Sequence, residues 1–246
     1  MRKAAAEKER AANERALERR PGARVNWHHR NFLDSWWRLS YRREDFLAAV
    51  AKVDRYISVT RTSSEKRGPV FTFVDAAVHL GDTAVAFDFS DDYSFGILQS
   101  SLHELWFRER CTTLETRLTY TSKTVFDSFV WPQSPDPDQV NLVASLAAEI
   151  INYRAERLDQ GVTLAAQYDV LREPGKSRLR DLHGRLNSAV IAVYGFDPKL
   201  DLLTQLLSLN LETAQKEEAG EVVTPPGPGG AEARVSDWRM LPKTTS

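Results

Sequence analysis

The chain has 246 residues, of which 42% are hydrophobic and 27% charged, a composition ordinary for a soluble globular protein. Its single cysteine, Cys111, excludes a disulfide framework and a cysteine-based zinc site. The net charge is only −1, no apolar run approaches the length of a membrane span, and the N-terminus lacks the apolar core of a secretory signal, so we expect a cytoplasmic protein without a membrane partner.

Charge is unevenly distributed along the chain. Residues 1–67 hold 17 Lys and Arg against 9 Asp and Glu, a net +8, whereas the remaining residues hold 16 against 25, a net −9. A basic N-terminal part favours a polyanionic partner such as nucleic acid. A solvated basic helix without such a partner explains the same count.

The first predicted element is a helix over residues 1–20, which are rich in Ala, Glu and Arg and are followed by Pro21 and Gly22. Its apolar residues are nearly all alanine, so it buries little surface by itself. We assign residues 1–23 to an N-terminal helix or linker.

Tryptophans and arginines interleave in the next segment. This pattern can stack on bases and pair with phosphates, but adjacent tryptophans more often anchor a core. We expect Trp36 and Trp37 to be mainly structural, and Arg38, Arg42 and Arg43 to include functional cations.

A short amphipathic helix over residues 44–54 precedes a β-rich segment. Strands are predicted at residues 56–62, 70–76 and 83–89, which are rich in Val, Phe, Thr and Ile. Turn-like sequences at 65–69 and 80–82 separate them. Lys66 and Arg67 at the first loop tip could meet phosphate, although such tips are usually only solvated.

The central stretch, residues 93–133, begins as an amphipathic helix. Leu98, Leu102, Leu105 and Trp106 recur at helical spacing and predict its buried face. The opposite face carries Gln99, Ser100, His103 and Arg110. Oxygens from Asp91, Asp92 and Ser94 cap its first turn.

Residues 114–120 change to the period of a strand. Leu114, Leu118 and Tyr120 alternate with Glu115, Arg117 and Thr119. Arginine can fork onto guanine and glutamate can accept from cytosine, so one face could read base edges. A surface strand with an idle ion pair, which would contribute little, is favoured from the residues alone.

Beyond the proline-rich residues 131–137, which mark a boundary, the pattern is entirely helical. Helices are predicted at 138–160, 163–171, 177–194 and 200–211, and a disordered tail at 215–246. The residues predicted to face inward are Leu142, Val143, Leu146, Ile150, Tyr153, Leu179, Leu182, Leu186, Val190 and Val193.

Several catalytic motifs do not occur in the sequence. There is no glycine-rich cofactor cradle, no Asn-Pro-Pro-aromatic element of amino-methyltransferases and no G-x-S-x-G elbow. The pairs His28-His29 and His103-Glu104 lack a third ligand at a suitable spacing. We therefore expect a recognition or scaffold part, with no catalytic, cofactor or metal residue on this chain, and leave its status as an enzyme open.

A family resemblance extends over residues 26–210. Its segments occur in the family's order: NWHHRNFLDSWWRLSYRRED, GPVFTFVDA, DDYSFGILQSSLHELWF, RLTYTSKTVFDSFVWP, DLHGRLNSAVIAVYG and LLTQLLSLN. Together they resemble the C-terminal half of the MmeI-like class of large adenine-specific DNA methyltransferases, which serve type II restriction–modification and phage defence. The chain has Val130 where the family usually has proline.

The resemblance implies an α+β fold. Residues 24–133 would form a curved, β-rich target-recognition domain with a central amphipathic helix, and residues 138–211 an all-helical C-terminal domain. The function implied is sequence-specific recognition of double-stranded DNA for an adenine-N6 DNA methyltransferase. S-adenosylmethionine would bind a missing or partner methyltransferase domain. The alternatives are a non-catalytic remnant or scaffold that does not bind DNA alone, and an enzyme with an unrecognised metal site.

The resemblance also matches residues 114–120 to a strand that faces the major groove. Glu115 and Arg117 are then the candidates for base readout, and the residues from Tyr120 to Lys123 are candidates for backbone contact. The full set of predicted DNA-binding residues is Glu115, Arg117, Thr119, Tyr120, Thr121, Ser122, Lys123, Arg38, Arg42, Arg43, Lys66, Arg67, Gln99, His103 and Arg110.

Overall fold

The computed structural model describes residues 2–27, 29–36, 44–64, 66–114 and 117–228. The chain divides into two compact units, Met1–Leu47 and Ala48–Ser246. The fold is α+β, as predicted, with two small antiparallel sheets and helices that dominate the C-terminal part.

The first unit contains helix α1 at Arg2–Arg19, which confirms the predicted N-terminal helix, and the short helix α2 at Arg30–Asp34. The two helices pack together. Asn13 on α1 donates to the Asn26 carbonyl oxygen, and its side chain also lies 3.3 Å from Nδ1 of the buried His29.

Trp27 and Trp36 in this unit are both exposed. Trp36 leaves 46% of its surface accessible, so it is not a buried core anchor, and its mainly structural role stays a prediction. Trp37 lies outside the described residues. Trp27 is 45% exposed, with the Arg30 guanidinium 3.9 Å from its ring centroid. Helix α3, Glu44–Val50, is shorter than predicted, and Phe46 and Val50 are buried on it.

The first sheet, sheet A, has the strand order β3-β1-β4, with β1 at Arg55–Thr60, β3 at Thr72–Asp75 and β4 at Ala84–Phe87. Both pairings are antiparallel. The central strand β1 is almost entirely buried, and Ile57 and Val59 join the hydrophobic core of the second unit.

The second sheet, sheet B, has the order β2-β6-β5, with β2 at Thr62–Ser64, β5 at Thr112–Leu114 and β6 at Arg117–Thr119. The chain passes from sheet A to sheet B at Arg61. Its N–H donates to the Thr83 carbonyl oxygen beside sheet A, and its own carbonyl accepts from Tyr120 N at 2.7 Å. The predicted strand 56–62 is therefore two strands that belong to different sheets.

The predicted central helix is also two helices, α4 at Asp92–Gln99 and α5 at Ser101–Arg110. Ser100 between them has extended backbone angles (φ −73°, ψ 160°), and its hydroxyl accepts from His103 N. Asp91 caps α4 by accepting from Ser94 N at 2.7 Å. A serine hydroxyl that takes up a free helix N–H is a strong start signal, and here it begins a second helix immediately after the first.

Four helices follow: α6 at Pro137–Asp159, α7 at Leu164–Asp169, α8 at Arg178–Val193 and α9 at Leu202–Glu218. Asp136 and Gln139 form a reciprocal capping box at the start of α6. Almost all the apolar residues predicted to face inward on α6 and α8 do so, but Leu142 is 50% exposed, so its predicted burial was wrong.

The core of the second unit continues across the proline-rich segment. Helix α4 lies directly against α6 at Gly96, where a Cβ would meet Val143 Cγ1 at 2.7 Å. Buried residues of the sheets and of α6 and α8 belong to one hydrophobic cluster. Side-chain packing therefore continues across residues 133–138, and the division into two domains there stays a prediction.

The residues after Leu211 are more ordered than predicted. Helix α9 continues to Glu218, and Thr224 exchanges hydrogen bonds with the Gln133 side chain, at 3.0 Å from Thr224 N to Oε1 and 3.3 Å from Nε2 to Thr224 O. The predicted disorder from residue 215 was thus wrong for residues 215–228. Residues 229–246, with Trp238, lie outside the described residues.

Candidate DNA interface

The side of sheet B that faces away from the core carries a group of polar side chains around Arg117, the predicted base reader. Arg117 lies opposite Ser64 on one side and Leu114 on the other, and Thr119 lies opposite Thr62 and Thr112. Directly opposed residues of antiparallel strands project to the same face. We call this surface the hydroxyl face; it consists of Thr62, Ser64, Thr112, Arg117 and Thr119.

Leu118 fixes the orientation of this sheet. It is only 8% exposed and joins the hydrophobic core, so its neighbours Arg117 and Thr119 project away from the core. Arg117 is exposed, whereas Thr119 is half-buried. The alternation predicted for residues 117–120 is confirmed, because Leu118 and Tyr120 are both buried.

The predicted continuous strand over residues 114–120 was wrong. Strands β5 and β6 are antiparallel partners with Leu114 opposite Arg117. Leu114 and Arg117 therefore belong to two different strands of the sheet. Only two residues separate them, a spacing typical of hairpins. Glu115 lies outside the described residues.

Three of the predicted contact residues are internal. Gln99, His103 and Tyr120 are 8%, 0% and 2% exposed, so the expectation that Gln99 and His103 lie on an open helix face was wrong. Ser100, expected on the same face, is also buried. Helix α4 is enclosed by the packed elements around it, and His103 lies on the buried side of α5.

His103 and Tyr120 form a buried pair beneath sheet B. The Tyr120 hydroxyl lies 3.0 Å from His103 Nε2, and the Tyr120 ring stacks on Phe107 with centroids 5.6 Å apart. Burial lowers the pKa of His103 to about 3 and raises the pKa of Tyr120 well above its usual value. Both groups are therefore neutral at physiological pH, and they support the sheet from below.

A five-residue π-helix, Ser122–Phe126, follows β6. Val125 and Phe126 are buried, and Lys123 is exposed. The hydroxyls of Thr121 and Thr124 bond to each other. Burial raises the pKa of the Asp127 carboxyl while the positive charge of Lys123 acts in the opposite direction. Thr121, Ser122 and Lys123 thus lie at the end of β6, with the lysine available to solvent.

The remaining predicted cations are dispersed. Lys66 is exposed, but Arg67 bonds to Asp169 at 2.7 Å. Arg110 is exposed at the end of α5, with its guanidinium 5.6 Å from the Trp106 ring centroid. Arg38, Arg42 and Arg43 lie outside the described residues.

Comparison with known families gives one match that covers residues 7–133, to the target recognition domain of MmeI. This segment amounts to 127 of the 246 residues, which is more than half of the chain. The chain belongs to the MmeI target-recognition-domain family.

A solved structure, described as the type IIL restriction–modification enzyme MmeI in complex with DNA, is similar to this chain with a TM-score of 0.64 and 26% identity. The alignment covers 80% of this chain, about 197 of its 246 residues, so it extends past Gln133 into the helical part. The chain spans only 25% of the length of that protein. No curated protein matches.

The residues that lie beside Arg117 on sheet B were not predicted from the sequence. Thr62, Ser64 and Thr112 join Arg117 only because three short strands pair, and pairing between distant segments leaves no local pattern in the sequence. Arg61 is also exposed, and its carbonyl accepts the Tyr120 N–H directly after β6. The threonine and serine content of 60–64 was the only available indication.

Sequence reasoning also missed the connection that ties the sheets of this MmeI-type domain to the helices. The Phe71 N–H donates to Gln99 Oε1 at 2.9 Å, and the Phe71 carbonyl accepts from Arg154 Nη2 at 2.7 Å. Arg154 is 4% exposed and also lies 3.5 Å from the Tyr168 hydroxyl. Burial lowers the pKa of Arg154. Both backbone polar groups of Phe71 are thus held by side chains, one from α4 and one from α6.

Neither a metal site nor a membrane span is found in the described part of the chain. Within residues 2–27, 29–36, 44–64, 66–114 and 117–228, no three His, Cys, Asp or Glu side chains come together as ligands. No helix among them is both long and apolar enough to cross a bilayer.

Proposed function

We propose that this chain is the module that recognises a specific sequence of double-stranded DNA for an adenine-N6 methyltransferase of a restriction–modification or phage-defence system. Methyl transfer requires a methyltransferase domain or subunit, to which we also assign S-adenosylmethionine. Because its proposed partner is DNA, we place the protein in the cytoplasm. Membership of the MmeI target-recognition-domain family and the likeness to MmeI bound to DNA support this proposal.

The observation that carries the proposal is the hydroxyl face. Three strands spaced about 4.8 Å apart are roughly 10 Å across their backbones, and the major groove of B-DNA is about 12 Å wide. The groove admits a two-stranded β-ribbon, so the middle strand β6 and one neighbouring strand fit into it with the hydroxyl face toward the bases. Arg117 projects from the middle strand of this sheet, away from the core.

Chemistry assigns the reading of bases to Arg117. A guanidinium donates two parallel hydrogen bonds, which match the O6 and N7 acceptors of guanine. The hydroxyls beside it donate or accept, so they suit either base edges or phosphates. On the family resemblance Glu115 is the second base reader, and Lys123, Lys66 and Arg110 are candidates for phosphate contact.

The test is a selection of bound duplexes from a randomised pool, with the parent chain and Arg117→Ala. We expect the variant to lose preference at one base pair and about 1–3 kcal/mol of affinity for the preferred site. Arg185→Ala is the matched control, because Arg185 forms a surface ion pair with Glu149 and is not part of the hydroxyl face. It should keep the parent consensus.

Two outcomes contradict the proposal. An unchanged consensus for Arg117→Ala means that the hydroxyl face does not read bases. If the parent binds no duplex even at low salt, the chain is a scaffold that does not bind DNA alone.

A further inference from the structure

A cavity of about 210 Å³ lies beside the loop that follows β2. Its walls come from this loop, the start of α5, and the α7–α8 region. Three cationic side chains line it: Lys66 and Arg67 from the loop, and Arg172 from the turn after α7. Arg172 lies in the helical part of the chain, beyond the segment that the family model matches.

Positive charge exceeds negative charge around this cavity. Asp169 accepts from Arg67 at 2.7 Å and also pairs with Arg172, so one carboxylate is shared by two guanidiniums. Glu104, which also lines the cavity, is already paired with Arg108, at 3.0 Å to Nε and 2.6 Å to Nη2. Lys66 adds another cation and is exposed.

Uncharged polar groups complete the lining. Asn187 accepts from Ser101 N at 2.9 Å, which fixes the first turn of α5 at the cavity wall. The N-terminal end of a helix favours an anion. Burial lowers the pKa of His183 to about 4, so this imidazole is neutral and the cations are the loop and turn residues.

The cavity is directly connected to the hydroxyl face. The Ser64 carbonyl accepts from Arg67 N at 3.1 Å and from Gly68 N at 3.2 Å, and Ser64 lies opposite Arg117. Gly68 makes this turn possible, since its φ is +66° and a Cβ would lie 2.6 Å from Glu104 Oε1. Arg67 is therefore one tight turn from the strand that adjoins the proposed base reader.

We propose that this cavity binds a phosphate group of the DNA backbone, with Lys66, Arg67 and Arg172 as its cations. The inference rests on the proposed function and extends it, because it makes the helical part of the chain a direct DNA contact. Arginine forks match phosphate oxygens as they match carboxylates. A phosphate would take over guanidinium N–H groups that now bond to Asp169, so Asp169 competes with the ligand.

The experiment measures binding of the full chain to a random-sequence duplex at several salt concentrations. Arg172→Gln should weaken binding several-fold for every sequence and lower the slope of log affinity against log salt by about one. Asp169→Asn should strengthen binding, because it removes the competing charge. Arg178→Gln is the control, since Arg178 lies against the Tyr153 ring and does not line the cavity.

The sign of the Asp169→Asn effect separates binding from folding. A purely structural ion pair predicts weaker binding and a lower melting temperature for both variants, and that result would overturn the proposal. So would parent-like affinity for Arg172→Gln. Both variants should also retain the parent consensus, unlike Arg117→Ala.

A second arm distinguishes DNA from a free anion. Inorganic phosphate is titrated into the parent and Arg172→Gln, followed by phosphorus NMR line width. If phosphate binds only the parent while neither variant changes duplex affinity, the cavity takes a free anion and the backbone proposal is wrong. If the parent binds no duplex at all, the proposed function fails, and this inference fails with it.

Discussion

His103 illustrates, at the scale of one residue, how a polar side chain supports a binding surface without reaching it. It is completely buried, and its Nε2 lies 3.0 Å from the Tyr120 hydroxyl, directly after strand β6. Arg117, which lies three residues before Tyr120 in the sequence, projects to solvent. The polar character that suggested a DNA contact for His103 serves packing beneath sheet B.

Burial of His103 predicts that stability falls on mild acidification. Its pKa is about 3 in the folded chain and about 6.5 in the unfolded chain. Below about pH 6.5 the unfolded chain therefore binds a proton that the folded chain excludes, and stability decreases as pH falls, by at most about 1.4 kcal/mol per pH unit. Urea unfolding between about pH 6.5 and 5 should show a steeper loss for the parent than for His103→Gln.

His79→Gln is the control for this prediction, because His79 is exposed in the loop before β4. Its pH dependence should follow the parent. His183, which is buried and also has a lowered pKa, contributes equally to parent and variants. Equal slopes for the parent and His103→Gln would mean that His103 does not stay neutral in the folded chain.

Gly96 determines how closely helices α4 and α6 approach each other. It lies on α4 where α6 crosses, and a Cβ there would be 2.7 Å from Val143 Cγ1 and 3.3 Å from Ala147 Cβ. The absence of a side chain lets α4 pack closely onto the C-terminal helices. Helix α4 is thus held at a distance that only glycine permits without movement of α6.

Gly96→Ala should lower the free energy of unfolding by up to about 2 kcal/mol after the gain in helix propensity is subtracted. Overpacking typically costs about 1–3 kcal/mol, and the better helix propensity of alanine offsets at most about 1 kcal/mol. Gly184→Ala on α8 is the matched control, since nothing lies within 4 Å of its added methyl. That variant should gain up to about 1 kcal/mol in urea unfolding. Equal shifts of both variants would show that α4 and α6 are not in close contact.

The second unit, as a whole, buries its sheets and its helices in one hydrophobic cluster. Arg154 on α6 donates to Phe71 beside sheet A, and Tyr194 donates to the Val130 carbonyl at 2.9 Å. The part that resembles the recognition domain and the helical part therefore stabilise each other. At Pro137 the chain changes from mixed α and β structure to helices, but the packing of side chains continues across this point.

A fragment of residues 2–136 should therefore fail to unfold cooperatively, because it exposes the apolar surface of α4 and leaves the Phe71 carbonyl without Arg154. Circular dichroism during urea titration measures this. A fragment of residues 2–228 is the control, since it keeps every described residue, and it should unfold like the full chain. Cooperative unfolding of the shorter fragment would instead support an independent domain that ends near Gln133.

The sequence by itself determined the type of most elements and the family. Local periodicity predicted α1, α6 and α8 closely, since helix bonds join residues only four apart, and the order of several short motifs identified the MmeI-like class. Tertiary structure decided the rest. Strand pairing divided 114–120 into a hairpin and brought Ser64 beside Arg117, and packing buried Gln99, His103 and Tyr120. Which face of an element is covered depends on distant parts of the chain, and a local pattern contains no record of them.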